Sequence, residues 1–301
     1  MPMVEVMAKV LIVGCGDLGG EVARQLVKLG ITTIGIKRSA TTIDGATIIE
    51  ADVSQPSSLT VVKNIHPDII IYCVAANGQT DAQYKAQYVD GLRHVLATQL
   101  ENSVLKHIFF VSSTRVYGQV QEKSTDGLLD ENTPAIATDF GGRRLLEAEG
   151  LLNAFPCNHT ILRLSGIYGV GRLRMINLAS SPENWPLKNS WTNRIHRDDA
   201  AAFILFLVMK VLSKPLNKPH ELTDFSIQPC YIVTDSRPAT QYEVLSWIAD
   251  KLNIDKPSQV NSAIEGGKRL SNKAMLATGF RLQYADYQAG YQTLLLDNSL
   301  T

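Results

Sequence analysis

The first clear hydrophobic pattern is Lys9-Val10-Leu11-Ile12-Val13, a β-branched run that ends at a glycine-rich hexamer. Behind the hexamer, Leu18, Val22, Leu26 and Leu29 return at helical spacing, so the pattern predicts strand, glycine turn, helix. The alternation continues with apolar runs at 31–36, 47–51, 68–74 and 107–111, the last two ending in Ala75-Ala76-Asn77-Gly78 and Ser112-Ser113. Helical stretches lie between them, the clearest over 82–100. Strands separated by helices predict an α/β fold with a doubly wound parallel sheet and a ligand crevice at the strand carboxyl ends.

Past Ile167 the alternation breaks, with Trp185-Pro186 and Trp191, then a helix over 198–212 and a strand Tyr231-Ile232-Val233 ending in Thr234-Asp235. An amphipathic helix over 242–252 and a mixed segment over 282–296 follow, and 216–229, rich in proline and polar residues, reads as a loop. The expected organisation is a nucleotide-binding domain over 1–168, with 193–212 and 229–235 returning to it. A smaller, interleaved substrate-binding part is expected to take 169–192 and 236–301.

Composition narrows the function. With 301 residues and 45% hydrophobic side chains a sizeable core is expected. Its 29 basic and 29 acidic residues cancel, which removes any overall field for nucleic acid or an anionic membrane. The cysteines, Cys15, Cys73, Cys157 and Cys230, have no paired spacing, so neither a zinc site nor a disulfide framework is expected, and a reducing cytoplasm fits. The apolar run over 200–209 is about half of the ~20 residues a membrane span requires. No secretory signal is read in residues 1–8, where Glu5 interrupts the apolar residues.

The hexamer Gly14-Cys15-Gly16-Asp17-Leu18-Gly19 has the form of a Rossmann-type dinucleotide fingerprint. Gly14 allows a tight turn, Gly16 lets a pyrophosphate approach the backbone, and Gly19 lets helix and strand pack closely, with the phosphates at a positive helix N-terminus. The plainer alternative is a glycine turn with no ligand. At the end of the second run, where an acid would bind a ribose 2′-hydroxyl, stand Lys37 and Arg38. Two cations suit a 2′-phosphate and predict NADP(H) over NAD(H), unless they merely solvate a strand end. Asp52 and Val53 are placed to flank an adenine ring, and Ala75 and Ala76 either leave room for nicotinamide or form an ordinary turn.

Phe109-Phe110-Val111-Ser112-Ser113-Thr114-Arg115-Val116-Tyr117-Gly118 resembles the fifth-strand motif of the extended short-chain dehydrogenase/reductases, the NAD(P)-dependent epimerase/dehydratase group. Asp130-Glu131-Asn132-Thr133-Pro134, Leu162-Arg163-Leu164-Ser165-Gly166-Ile167-Tyr168-Gly169 and Asn193-Arg194-Ile195-His196-Arg197-Asp198-Asp199 resemble further segments of that group. The resemblance implies that Ser113 is the catalytic serine, with Ser112 beside it in the cofactor groove. It also implies a Tyr acting as general acid/base and a Lys one helical turn later, but this chain carries Phe140 and Arg144 there, in Phe140-Gly141-Gly142-Arg143-Arg144. A phenyl ring has no exchangeable proton. Arg144 keeps a cation near the cofactor ribose, and Tyr117, Tyr168, Asp139 or a water on Ser113 are the replacement proton donors. This departure, with Lys268-Arg269-Leu270-Ser271-Asn272-Lys273 and Gly279-Phe280, is most similar to an atypical YeeZ-like subgroup.

Arg163, Arg172, Arg174, Arg194, His196, Lys268 and Arg269 stand near the family's substrate positions and suit an anionic, nucleotide-sugar-like small molecule, although scattered cations are also ordinary. The expected function is therefore an NADP-preferring oxidoreductase or epimerase. The alternative is a non-catalytic protein that senses NADP(H) or a metabolite. The resemblance also makes a homodimer plausible.

Overall fold

The computed structural model describes residues 8–118, 127–213, 226–257 and 263–298. Residues 1–7 and most of the expected loop over 216–229 lie outside the described residues. The strands are β1 (Lys9–Val13), β2 (Thr32–Lys37), β3 (Thr47–Glu50), β4 (Ile69–Tyr72), β5 (His107–Ser113), β6 (Leu128–Leu129), β7 (His159–Leu164), β8 (Gly166–Tyr168), β9 (Asn189–Thr192), β10 (Arg194–His196), β11 (Cys230–Val233), β12 (Ala239–Thr240), β13 (Ile264–Gly267) and β14 (Arg269–Leu270). The helices are α1 (Asp17–Lys28), α2 (Asp81–Tyr84), α3 (Gly91–Thr98), α4 (Phe140–Asn153), α5 (Arg174–Ala179), α6 (Arg197–Leu212), α7 (Gln241–Leu252), α8 (Lys273–Ala277) and α9 (Tyr287–Asn298).

Seven strands form one sheet in the order β11-β7-β5-β4-β1-β2-β3, and every pair from β3 to β5 is parallel. The order reverses direction between β1 and β4, the switch point at which a doubly wound sheet opens its crevice. β1 after Lys9, and all of β4, are apolar and buried, as strands covered on both faces must be.

Contacts group the chain into two compact units: Met1–Val116, Ala137–Arg163 and Ala201–Tyr231 form the first, and Tyr117–Ile136, Leu164–Ala200 and Ile232–Thr301 form the second. The first has a core of Leu11, Val13, Ile70, Tyr72, Phe110 and Ala148 among others. The second is centred on Tyr168, Trp185, Leu245, Ile248 and Tyr291. Residues 117–136, which the sequence placed with the first part, join the second because β6 pairs with β14 and Glu131 Oε1 accepts the Ile232 N–H at 2.7 Å.

The helix expected over 82–100 is interrupted. Between α2 and α3 the chain makes a π-helical turn over Lys85–Asp90, held by Lys85 Nζ on both Asp90 oxygens at 2.8 and 2.7 Å. The Gln87 carbonyl in this turn accepts the Tyr72 hydroxyl, and Gly91 lies close over the same hydroxyl.

The turn after β1 depends on glycine. Gly14 has φ 93°, and a Cβ there would lie 2.6 Å from the Cys73 carbonyl carbon; a Cβ on Gly19 would collide with the Gly14 carbonyl oxygen. Gly14→Ala is therefore expected to destabilise the fold by the ~1–3 kcal/mol of a strained backbone, with the clash in addition. Urea unfolding of the variant checks this, and a cost below that range contradicts it.

Candidate active site

No side chain caps α1 at Gly16, and a Cβ on Gly16 would meet nothing within 4 Å. A bare helix N-terminus with open space before it is the approach that a pyrophosphate needs, so the residues present fit a dinucleotide. Cys15 and Leu18 turn their side chains into the core, at 2% and 5% exposure, so only their backbone faces the crevice. Burial pushes the Cys15 thiol upward, with the charges of Lys37 and Arg24 opposing it. Lys37 ends β2 half-buried, and Arg38 follows exposed.

Several expected cofactor contacts are reassigned. Val53 is 4% exposed and belongs to the core, so its side chain cannot flank an adenine ring. Asp52 remains at the strand end, its Oδ1 accepting from the Ser54 N–H and hydroxyl at 2.9 and 2.8 Å. Ala75 is exposed, and Ala76 is anchored through its backbone to Tyr88, whose phenol burial pushes up to about 12. Ser112 points into the protein, where its hydroxyl donates to Glu149 Oε1 at 2.6 Å; Glu149 in turn pairs with Arg163 at 2.7 Å. Alternation along β5 sends Ser113 the other way. Its hydroxyl oxygen accepts the Arg115 N–H at 3.2 Å.

Arg115 organises the start of α4. Its Nε donates to both oxygens of Asp139, at 3.0 and 2.9 Å, while Asp139 caps α4 by accepting the Gly142 N–H at 2.7 Å. Arg115 Nη1 donates to the Tyr84 hydroxyl oxygen at 2.8 Å and to Gln79 Oε1 at 3.0 Å. The guanidinium carbon lies 5.1 Å from the centroids of both the Tyr84 and Phe140 rings, which meet edge to face at 5.5 Å. A Cβ on Gly141 would collide with the guanidinium, and one on Gly142 would come within 2.9 Å of the Arg115 carbonyl oxygen. The two glycines after Phe140 are thus the seat of Arg115, and Phe140 packs against it and Tyr84.

The expected replacement acids fare differently. Partial burial would raise the Asp139 carboxyl, but the Gly142 N–H and Arg115 outweigh it and hold the group below the usual carboxylate range, which removes it as a proton donor near neutrality. Tyr117 is fully buried and donates to the Asp130 carbonyl at 3.2 Å. Arg144 is clamped by Asp81, with two bonds of 2.8 Å, and by Glu147 at 2.7 Å. These carboxylates raise its pKa further, and they occupy the donors expected to meet ribose.

In the second unit a cleft of about 940 Å³ is lined by Arg172, Arg174, Arg194, Asn177, Tyr168 and Tyr291, among other residues. Arg194 is 5% exposed; its Nη2 donates to Thr192 Oγ1, its guanidinium lies over the Tyr287 ring at 5.3 Å, and Nη1 has no partner. The Tyr168 hydroxyl is also buried without a partner, and burial pushes its pKa far upward. Of the other expected cations, Arg163 is committed to Glu149 inside the first unit, Arg269 lies over Trp191, and Lys268 Nζ donates to the Gly118 carbonyl at 3.2 Å. His196 is a core residue, 2% exposed, with Nδ1 accepting the Asp198 N–H and its pKa lowered by burial.

Asp235, absent from the sequence reading as a site, is 1% exposed, with Oδ2 unpartnered and its pKa raised to about 7 by burial. A carboxyl raised from about 3.9 unfolded to that value binds more protons when folded. Its contribution to stability is complete below pH ~4 and is lost as pH rises through 7. Asp235→Asn is expected to melt higher than the parent at pH 8 and to lose that advantage at pH 4, read by calorimetry at both values; equal shifts at both would contradict it.

The Arg115 seat yields a second prediction. Gly→Ala within a helix normally stabilises by ~0.5–1 kcal/mol. Gly141→Ala should show that gain only when Arg115 is also replaced by Ala, and urea unfolding of the four-member cycle measures the coupling. Additive effects would contradict the packing described.

Comparison with known proteins places the chain by family and fold. The profile of the NAD dependent epimerase/dehydratase family matches residues 10–217. A candidate NAD-dependent epimerase/dehydratase from Methylobacillus flagellatus is 44% identical, with TM-score 0.84, over 97% of this chain and 99% of that one. The UDP-glucose 4-epimerase of Thermus thermophilus in complex with NAD superposes with TM-score 0.71 at 16% identity, over 94% and 96% of the two chains. Bordetella bronchiseptica WbmG in complex with NAD gives 0.73 at 15%, over 98% and 95%. No curated protein sequence matches.

Proposed function

This chain belongs to the NAD dependent epimerase/dehydratase family, and on that premise we propose that it is an NADP-preferring oxidoreductase or epimerase of the YeeZ-like kind. Its substrate is a small anionic molecule of the nucleotide-sugar type. The observation that carries the cofactor half is the glycine cradle at Gly14, Gly16 and Gly19, with Lys37 ending the neighbouring strand where an acid would select a free ribose. Gly14, Gly16 and Gly19 let the backbone meet the pyrophosphate, Lys37 and Arg38 take the 2′-phosphate, and Asp52 lies at the adenine end. When bound, the nicotinamide supplies hydride chemistry.

The substrate half is supported by the cleft in the second unit. Arg194 keeps one donor without a partner in a site that is nine-tenths buried, and Arg172 and Arg174 line the same cleft. A buried unpaired guanidinium N–H costs free energy until an anion takes it. A diphosphate satisfies that donor. The UDP-sugar epimerases among the structural neighbours act on molecules carrying such a group.

A sensor that binds NADP(H) without turnover is favoured by one observation only, the missing phenol at Phe140. The remaining groups are those an oxidoreductase uses to hold a substrate oxygen: Ser113 at the end of β5, with the Arg115 cation two residues on.

Fluorescence titration with NADPH and NADH tests the cofactor. Tighter binding of NADPH is expected, and replacing both Lys37 and Arg38 by Ala should weaken NADPH about tenfold to a hundredfold, the worth of one or two charge-assisted bonds, while leaving NADH unchanged. Equal loss for both cofactors overturns the 2′-phosphate assignment. Calorimetric titration with UDP-glucose tests the cleft: Arg194→Met should weaken binding by a similar factor, and unchanged affinity would remove Arg194 from the site.

A further inference from the structure

We infer that the Tyr84 hydroxyl, held by Arg115 beside Phe140, is the group that exchanges the proton with the substrate oxygen in this site. The inference rests on the proposed oxidoreductase reading and names the acid that reading lacks. A phenol with a cation on its oxygen is the pair expected at positions 140 and 144 and not found there. The structure holds such a pair one ring away. Tyr84 ends α2, immediately before the π-helical turn, and its ring meets the Phe140 ring edge to face. The side chain is buried; its oxygen accepts the Arg115 Nη1–H at 2.8 Å, and its O–H donates to Gln79 Oε1 at 3.4 Å, a bond it gives up when the proton passes to the substrate. Arg115 also gives its backbone N–H to Ser113, so one residue binds both the serine and the phenol.

Each neighbour has a consequence for that pair. Asp139 occupies the Nε edge of Arg115 and fixes the guanidinium so that Nη1 meets the phenol. Gly141 leaves the space in which the guanidinium lies. Phe140, which cannot exchange a proton, walls the phenol on the side where the expected tyrosine would stand. Tyr72 serves another end, its hydroxyl given to the Gln87 carbonyl.

In the reductive direction a bound reduced nicotinamide would supply the hydride to the substrate carbonyl carbon. The Tyr84 O–H bond breaks as a new O–H bond forms on the substrate oxygen. The carbonyl would thereby be reduced at the expense of the bound nicotinamide, and the phenolate left on Tyr84 would keep the Arg115 hydrogen bond until solvent returns its proton. In the oxidative direction the phenolate takes the substrate hydroxyl proton as the hydride leaves. A donor already fixed on the oxygen that becomes charged is the preorganised arrangement by which such a step is accelerated.

The test uses the full chain and Tyr84→Phe, which keeps the ring and removes only the hydroxyl. NADPH binding is followed by fluorescence; reduction of a panel of small aldehydes and ketones is followed at the nicotinamide absorbance, and interconversion of UDP-glucose and UDP-galactose, which leaves no net change in the cofactor, by chromatography of the two sugars. NADPH affinity is expected to be unchanged, while turnover falls about 10²- to 10⁴-fold, the usual weight of a general acid. Adding Phe140→Tyr to Tyr84→Phe returns a phenol next to the vacated position and is expected to restore part of the rate, which a merely structural loss would not allow. Unchanged turnover in Tyr84→Phe overturns the assignment, as does lost turnover that Phe140→Tyr does not rescue. NADPH binding by the parent with turnover of no probe overturns it in favour of a sensor. Failure of the parent to bind either cofactor overturns the oxidoreductase reading itself.

Discussion

The close approach of β1, the following turn and α1 is the constraint on which the first unit depends. Gly14 has its Cβ position filled by the backbone of Cys73, and Gly19 lies against the Gly14 carbonyl, so neither place admits a side chain. Those two contacts bring the N-terminus of α1 up to the end of β1, beside the switch point between β1 and β4. Gly16, by contrast, has open space where a side chain would go. Two glycines are thus required by the protein's own packing, and the third is not; on the proposed reading Gly16 is left open for a pyrophosphate.

A similar distinction applies at the start of α4. Phe140-Gly141-Gly142-Arg143-Arg144 reads as the loss of a catalytic pair when set against the family pattern. In the folded chain it is the seat of Arg115: two glycines make room, Asp139 grips the Nε edge, and Phe140 lies under the guanidinium carbon. The cation packed against Phe140 is Arg115, two places after Ser113, while Arg144 is turned to Asp81 and Glu147. A phenol beside Phe140 is then supplied by Tyr84 on a different helix.

Much of this was legible in the chain. The β-branched run before Gly14, the helical return of Leu18, Val22 and Leu26, and the repetition of strands at 31–36 and 47–51 specify an α/β sheet, because buried parallel strands and amphipathic helices leave different periodicities. Side-chain direction at the strand ends was harder to read. Ser112 and Ser113 are adjacent and chemically alike, and only the pleat, with the buried Glu149 and Arg163 below, sends one inward. Val53 likewise belongs to the core because Gly91 opposite leaves it room. The Tyr84 and Arg115 pairing joins residues 31 apart in sequence, and no local pattern announces it. The available signal was a cation inside Ser113-Thr114-Arg115-Val116-Tyr117, with two glycines facing it across the fold.

The central claim, a nicotinamide cofactor in the glycine cradle with the Tyr84 phenol and Arg115 serving its reactive end, is tested most directly by a crystal structure of the full chain grown with NADPH. The account predicts the pyrophosphate at the N-terminus of α1 beside Gly16, the 2′-phosphate against Lys37 and Arg38, and the Tyr84 hydroxyl open to the space in front of the nicotinamide ring. A nucleotide bound away from Gly16, or a nicotinamide ring cut off from the Tyr84 hydroxyl by intervening protein, would contradict it.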